Sequence, residues 1–169
     1  MTGTGRDFGR FYADNFPVLC KQLYAYTGDA AEAQDAVQEA FVRAWTRWAA
    51  VSAYESPAAW VRQVAWRLAI SRWRRARTAL RFVHGQREVH APPPGPEHVT
   101  LVAALATLPE RQRRAVVLHY LADLSIAQIA AEESVAEGTV KSWLHRGRAA
   151  LAAHIADERM EGAYDDGRL

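Results

Sequence analysis

SIAQIAAEESVAEGTVKSWLHRGRAA, residues 125–150, reads as two helices separated by a tight break. Ser125 is placed to cap the first, because a serine oxygen accepts from backbone N–H groups that the opening turn leaves unpaired. Ile126, Ile129 and Ala130 then recur at the spacing of one helix face. Ala130 is small where two crossing helices approach, and Val135 is positioned to plug the corner between them. In the second helix Val140 and Leu144 face inward, which leaves Lys141, Ser142, His145, Arg146 and Arg148 turned largely outward. Basic and small polar side chains on one exposed helix face suit the DNA major groove. There lysine or arginine donates to guanine O6 and N7, and serine serves several bases. A helical hairpin with a solvated face has the same local pattern, so the remainder of the chain must decide.

Outward from this stretch, Pro109 begins a helix through Val116, Val117, Tyr120 and Leu121, in a helical unit that starts near Val99. HAPPPGPEH, residues 90–98, is too rich in proline to hold a helix and has little to bury, so it reads as an extended, semi-stiff connector. From Asp7 to about Arg77 the pattern is helical again. Phe8, Phe11, Tyr12, Phe16, Leu19 and Leu23 approximate one stripe, which Pro17 is expected to interrupt or start. Gly28-Asp29 marks a stop and a restart. Val37, Phe41, Ala44, Trp45 and Trp48 line one face of the next helix. Ser56-Pro57 is an N-cap followed by proline at the first helical position. The helix it opens carries Trp60, Val61, Val64, Ala65 and Leu68 on one face. Trp66, Ile70 and Trp73 form a second stripe on that helix, either packed on the first helix or exposed as stacking rings. The tail DERMEGAYDDGRL is polar and expected to fray. The prediction is an all-α fold. Two small helical domains, 1–78 and 99–156, are joined by a proline-rich linker, 79–98, and followed by a tail, 157–169.

Composition agrees with this division. The 169 residues are 50% hydrophobic and 24% charged, which suits a globular protein of one medium or two small domains. A net charge of +2 would not by itself announce a nucleic-acid binder, but its distribution says more. Arg62, Arg67, Arg72, Arg74, Arg75, Arg77, Arg81 and Arg87 follow one another with no acidic residue between them, whereas Asp29, Glu32, Asp35 and Glu39 gather upstream. One basic surface for polyanions and a separate acidic face follow. Cys20 is the only cysteine, so an intrachain disulfide and a multi-cysteine zinc site are excluded. Its apolar neighbours Phe16, Leu19 and Leu23 point to a buried, structural thiol. No apolar run approaches the roughly 20 residues of a membrane span. The N-terminus lacks the apolar core of a secretory signal, so cytoplasmic residence is the default expectation. No glycine loop for phosphate, no metal-spaced His/Cys set and no nucleophile with its base can be found. Neither an enzyme nor a cofactor or small-molecule substrate is expected.

Both halves together resemble the sigma-70 family, specifically its minimal extracytoplasmic-function group. GDAAEAQDAVQEAFVRAW, residues 28–45, resembles the helix of the family's region 2, and SPAAWVRQVAWRLAISRWRR, residues 56–75, resembles its promoter-melting helix. LPERQRRAVVLHYLADLSIAQIA and GTVKSWLHRGRAAL resemble region 4. Two motif sets in the right order are more specific than either alone. The resemblance implies a sigma factor that binds core RNA polymerase, recognises promoter DNA, helps to melt it and performs no chemistry of its own. The implied polymerase contacts are the β′ clamp and the β flap, and an anti-sigma factor is the implied regulatory partner. A stand-alone helix-turn-helix regulator and a sigma-like decoy that docks without initiating are the alternatives.

The same resemblance implies roles residue by residue. Asp35, Gln38, Glu39, Phe41, Arg43 and Trp45 would dock on the polymerase, with Phe41 and Trp45 also readable as core. Asp35 and Glu39 lie one turn apart and can meet basic side chains of a partner helix. The loop AAVSAYE after Trp48 would capture a flipped minus-10 base, with Ser52, Tyr54 and Ser56 as candidates, since stacking must replace what the duplex loses. Arg62, Arg67, Arg72, Arg74 and Arg75 would hold phosphates of the melted strand. Thr139, Lys141, Ser142, His145, Arg146 and Arg148 would recognise the minus-35 element, with Arg113 and Arg114 adding backbone contacts. Departures also stand out. Family members commonly show a basic residue at Trp66, and asparagine and aspartate where this chain has Arg67 and Ser71. They typically show leucine-glycine at Glu133-Ser134 and arginine at Trp143. Ser134 therefore implies mild strain or a reshaped turn, and Glu133 is expected to turn outward. The loss of arginine at Trp143 implies weaker or unusual minus-35 binding.

Overall fold

The computed structural model describes the backbone of residues 3–80 and 96–165, and the side chains of residues 7–72, 75 and 100–156. Among the described residues every regular element is a helix: α1 (Gly3–Thr27), α2 (Ala30–Thr46), α3 (Trp48–Val51), α4 (Pro57–Leu80), α5 (Pro96–Ala106), α6 (Glu110–Tyr120), α7 (Ile126–Glu133) and α8 (Glu137–Asp165). They divide into two compact units, Met1–Pro93 and Pro94–Leu169. None of these helices is long and apolar enough to cross a membrane.

In the first unit α2 packs against both α1 and α4. Its inner face is alanine-rich: Ala33, Ala36, Ala40 and Ala44 are each at most 1% exposed. Small side chains let neighbouring helices approach closely, while Val37 and Phe41 fill the remaining core. The restart between α1 and α2 follows the sequence signal. Gly28 takes a left-handed φ of 73°, and the Asp29 side chain accepts from the Glu32 N–H at 2.9 Å. Ser56 likewise caps α4, accepting from the Ala59 N–H at 3.2 Å.

Several expectations change. Pro17 neither breaks nor starts α1, which runs through it. Ala13 and Pro17 are both exposed, so the carbonyl deprived of its helical donor lies on the water side. The apolar face expected to run to Trp48 is split at Arg47, where α2 ends, and Trp48 belongs to α3. Trp45 is 52% exposed rather than core. On α4 the buried set is Val61, Ala65, Trp66, Ala69 and Ile70, whereas Trp60, Val64 and Leu68 are half-buried. The buried sector is rotated because α4 packs on α1 as well as α2. Trp66 is 1% exposed, and its ring lies 4.8 Å from that of Tyr26 on α1. Packing, not exposure, is its role; the Trp73 side chain lies outside the described residues.

The second unit packs α6 and α7 on α8 over Leu105, Leu118, Ile129 and Val140. Ser125 forms a full capping box with Gln128. After α7, Ser134 sits in the left-handed region at φ 55°, while the Val135 N–H bonds back to the Ala130 carbonyl at 3.0 Å. This is a helix-terminating geometry that normally takes glycine, so serine carries the expected strain there. α5 starts at Pro96, so Pro96, Glu97 and His98 are helical and not part of the connector. Proline is tolerated there because the first turn has no use for its missing N–H. Residues 90–95 of the connector lie outside the described ones. The tail is not frayed through 165: alanines and other good helix formers, with no proline after Pro109, carry α8 on to Asp165.

One contact had no reading in the sequence. At the α6–α8 crossing, a Cβ added to Gly147 would lie 2.8 Å from Val116 Cγ2. Gly147→Ala is therefore expected to lower the stability of this unit by about 1–3 kcal/mol through overpacking, offset in part by alanine's better helix propensity. Thermal denaturation checks this; a raised Tm would show that α6 yields without cost.

Candidate partner and nucleic-acid interfaces

With alanines and Phe41 turned inward, the outer face of α2 presents Asp35, Gln38, Val42 and Trp45. Their spacing of three, four and three residues is the seam by which one helix meets another. Val42 and Trp45 are each 52% exposed. Trp45 rests one side on Phe8, with ring centroids 4.9 Å apart. Gln38 is steadied by the Tyr12 hydroxyl, which donates to its Oε1 at 2.9 Å. Val42 had no part in the sequence reading, because it falls off the stripe of Val37, Phe41 and Ala44.

Two expected docking residues sit elsewhere. Phe41 is 1% exposed, ringed by Phe8, Phe11, Tyr12 and Phe16, and cannot touch a partner. Glu39 is half-buried and bridges Arg43 on its own helix to Arg72 on α4. A residue expected on the polymerase side and one expected on the DNA side thus neutralise each other, tying α2 to α4.

The expected minus-10 loop is shorter than it reads. Trp48–Val51 is helical and Val51 is 1% exposed, which leaves residues 52–56 as the connector. Ser52 and Tyr54 are exposed, Tyr54 by 50%. The Ser56 oxygen is engaged as the cap of α4. Along α4, Arg67 and Arg75 are exposed and Arg62 is half-buried. Ser71 holds Arg75, accepting from Nη2 at 3.1 Å, so Arg67, Ser71 and Arg75 make a ridge at helical spacing. The Arg74 side chain lies outside the described residues.

On α8, Lys141, His145, Arg146 and Arg148 are exposed, and Thr139 and Ser142 are half-buried beside them. Their inward neighbours Val140 and Leu144 are 0% and 5% exposed. Arg113 and Arg114 of α6 point into the protein instead. Arg113 donates to the Leu108 carbonyl at 3.3 Å, and Arg114 pairs with Glu133 at 2.6 Å. Arg114 is thus occupied rather than offered to a DNA backbone.

Glu133 does not turn outward. Its side chain is 16% exposed, against 21% for Arg114. Burial raises the Glu133 carboxyl above its ordinary value, outweighing the attraction of Arg114. A carboxyl raised on folding binds protons more tightly when folded. Its stabilising contribution is therefore complete below the ordinary carboxylate pKa, about 4.3, and lost as pH rises through the folded midpoint. Urea denaturation at a series of pH values should show the stability difference between wild type and Glu133→Gln falling across that window. A flat difference would refute the desolvation.

Leu101, Leu105, Val116, Val117, Tyr120, Leu121 and Leu151 line a shallow apolar groove of about 190 Å³, with Arg148 at its edge. Tyr120 and Leu121 are 51% and 42% exposed on it. Cys20 in the first unit is half-buried, and burial pushes its thiol up to about 11, as suits an unreactive position.

Each of the two units contains a match to a known family. Residues 11–79 match Sigma-70 region 2, and residues 98–151 match Sigma-70, region 4. The chain is 38% identical to the ECF RNA polymerase sigma factor SigL of Mycobacterium tuberculosis over 144 residues, which cover 79% of this chain and 80% of SigL. It is 29% identical to the ECF RNA polymerase sigma factor SigW of Bacillus subtilis over 168 residues, covering 89% and 88%. In fold it is similar to the sigma factor RpoE of Bartonella quintana, solved with the anti-sigma factor NepR, at a TM-score of 0.73 and 22% identity over 89% and 98% of the two chains. It is also similar to CnrH, solved with the cytosolic domain of CnrY, at a TM-score of 0.66, 21% identity and 92% coverage of each.

Proposed function

The chain belongs to the extracytoplasmic-function group of the sigma-70 family, and on that premise we propose that it binds core RNA polymerase, directs it to promoters and helps to open them. The observation that carries this reading is the pairing, within one unit, of the seam Asp35, Gln38, Val42 and Trp45 with the ridge Arg67 and Arg75. The seam has the spacing and chemistry to dock on a basic helical coiled coil, the polymerase β′ clamp. The ridge then holds phosphates of one DNA strand, and Tyr54 offers an aromatic face to an unstacked minus-10 base.

In the second unit α8 reads the minus-35 major groove through Lys141, Ser142, His145 and Arg146. The groove of Leu101, Tyr120 and Leu121 takes the apolar face of a helix from the β flap. Promoter opening is driven by binding energy, and no residue is assigned a chemical step. An anti-sigma factor is the proposed regulator, since both similar structures described above are complexes of that kind or with a cytosolic partner domain. The cytoplasm is the proposed compartment, because the polymerase is there.

Run-off transcription with reconstituted core polymerase on a promoter library tests the whole reading. Initiation dependent on this chain supports it. Docking without initiation would instead mark a decoy, and duplex binding indifferent to polymerase a stand-alone regulator.

A further inference from the structure

Arg111, in the first turn of α6, has its guanidinium carbon over the ring of Trp143 on α8, 5.8 Å from the centroid. Arg111 is exposed and Trp143 half-buried. The next arginines of α6 face protein partners, Arg113 the Leu108 carbonyl and Arg114 the Glu133 carboxylate. Arg111 does not. Among the described residues it makes no ion pair, and Glu133, whose carboxyl feels its charge, already has Arg114 at 2.6 Å. A guanidinium resting on an indole face keeps its charge and its hydrogen-bond donors, and the ring limits the conformations it must give up on binding. The stack is therefore a cation held ready for a ligand, not one already used.

Its position says which ligand. Trp143 follows Ser142 in sequence and lies one helical turn from Thr139 and Arg146, the margin of the exposed face of α8. A cation beside that margin borders the groove that α8 would enter, where the first anion met is a backbone phosphate.

We propose that Arg111, held by Trp143, is a phosphate-binding residue for duplex DNA at the edge of the minus-35 contact. The proposal rests on the reading of α8 as the DNA-facing helix. It also gives Trp143 a purpose: the indole supplies no charge itself but seats one from the neighbouring helix.

The test is binding of the full chain to a labelled promoter duplex over a range of salt, with and without core polymerase. Losing one phosphate contact lowers the slope of log affinity against log salt by about 0.9. Arg111→Gln is expected to show that change, equivalent to an about 3.5-fold smaller response between about 50 and 200 mM salt, on specific and non-specific duplexes alike. Trp143→Arg in the Arg111→Gln background, which returns a guanidinium to the same place, is expected to restore the slope. This restoration also guards against a fold defect, since a merely destabilised protein would not regain it. An unchanged slope in Arg111→Gln overturns the proposal, as does a lost slope that Trp143→Arg leaves lost. Wild type that binds no duplex, even with polymerase, sinks the reading of α8 itself and the proposal with it.

Discussion

Trp66→Ala is expected to unfold the first unit while leaving the second folded. The indole is 1% exposed, lies 4.8 Å from the Tyr26 ring and joins α4 to α1. Removing a buried tryptophan costs about 3–5 kcal/mol from lost burial and the cavity left behind. Whole domains hold only about 5–15 kcal/mol, and one this small stands toward the lower end. Circular dichroism on heating should lose the transition of the first unit at working temperature, and run-off transcription should stop with it. Trp66→Phe, which keeps a ring against Tyr26, should fall between. A melting curve for Trp66→Ala superimposable on wild type would show that the α1–α4 contact is not part of the stable core.

The second large effect concerns docking. Asp35→Arg combined with Trp45→Ala is expected to weaken binding to core polymerase by about 2–4 kcal/mol, roughly thirty-fold or more, with only a small drop in melting temperature. Asp35 is exposed and Trp45 is 52% exposed on the same seam, so neither belongs to the buried core, and only the Phe8 contact of Trp45 is lost from the fold. Reversing the acidic charge sets like against like at a basic partner, and truncating the indole removes the largest apolar contact. Phe41→Ala is the instructive contrast. Its loss of polymerase binding should track its loss of stability, because the ring is 1% exposed. Fluorescence-detected binding beside a thermal melt separates the two. Wild-type affinity for the double variant would place the docking surface elsewhere.

Much of this was legible from local rules. The capping box at Ser125, the restart at Gly28-Asp29 and the opening of α4 at Ser56-Pro57 are set by the few residues that form them. The inward turn of Val140 and Leu144 follows from spacing on a helix whose exposed side is plainly polar. Where both sides of a helix are apolar, spacing stops deciding. α4 carries two stripes, and only the arrival of α1 shows that Trp66 and Ile70 are buried more deeply than Trp60 and Leu68. Trp45 was left between docking and core, and Val42 was missed, for the same reason, since hydrophobicity alone does not separate a core residue from a docking one.

Charge followed the same division. Sequence by itself determined an all-helical chain, where most helices start, and that arginines crowd α4 and α6, because these are properties of neighbours along the backbone. The tertiary structure alone decided which of those charges remain to be used. Glu39 meets Arg72 across two helices, Arg114 meets Glu133, and Arg111 comes to rest on Trp143. Such pairings depend on helices far apart in the chain being packed side by side, and a Coulomb interaction or a stacked ring is felt only over a few ångströms of space, whatever the distance in sequence.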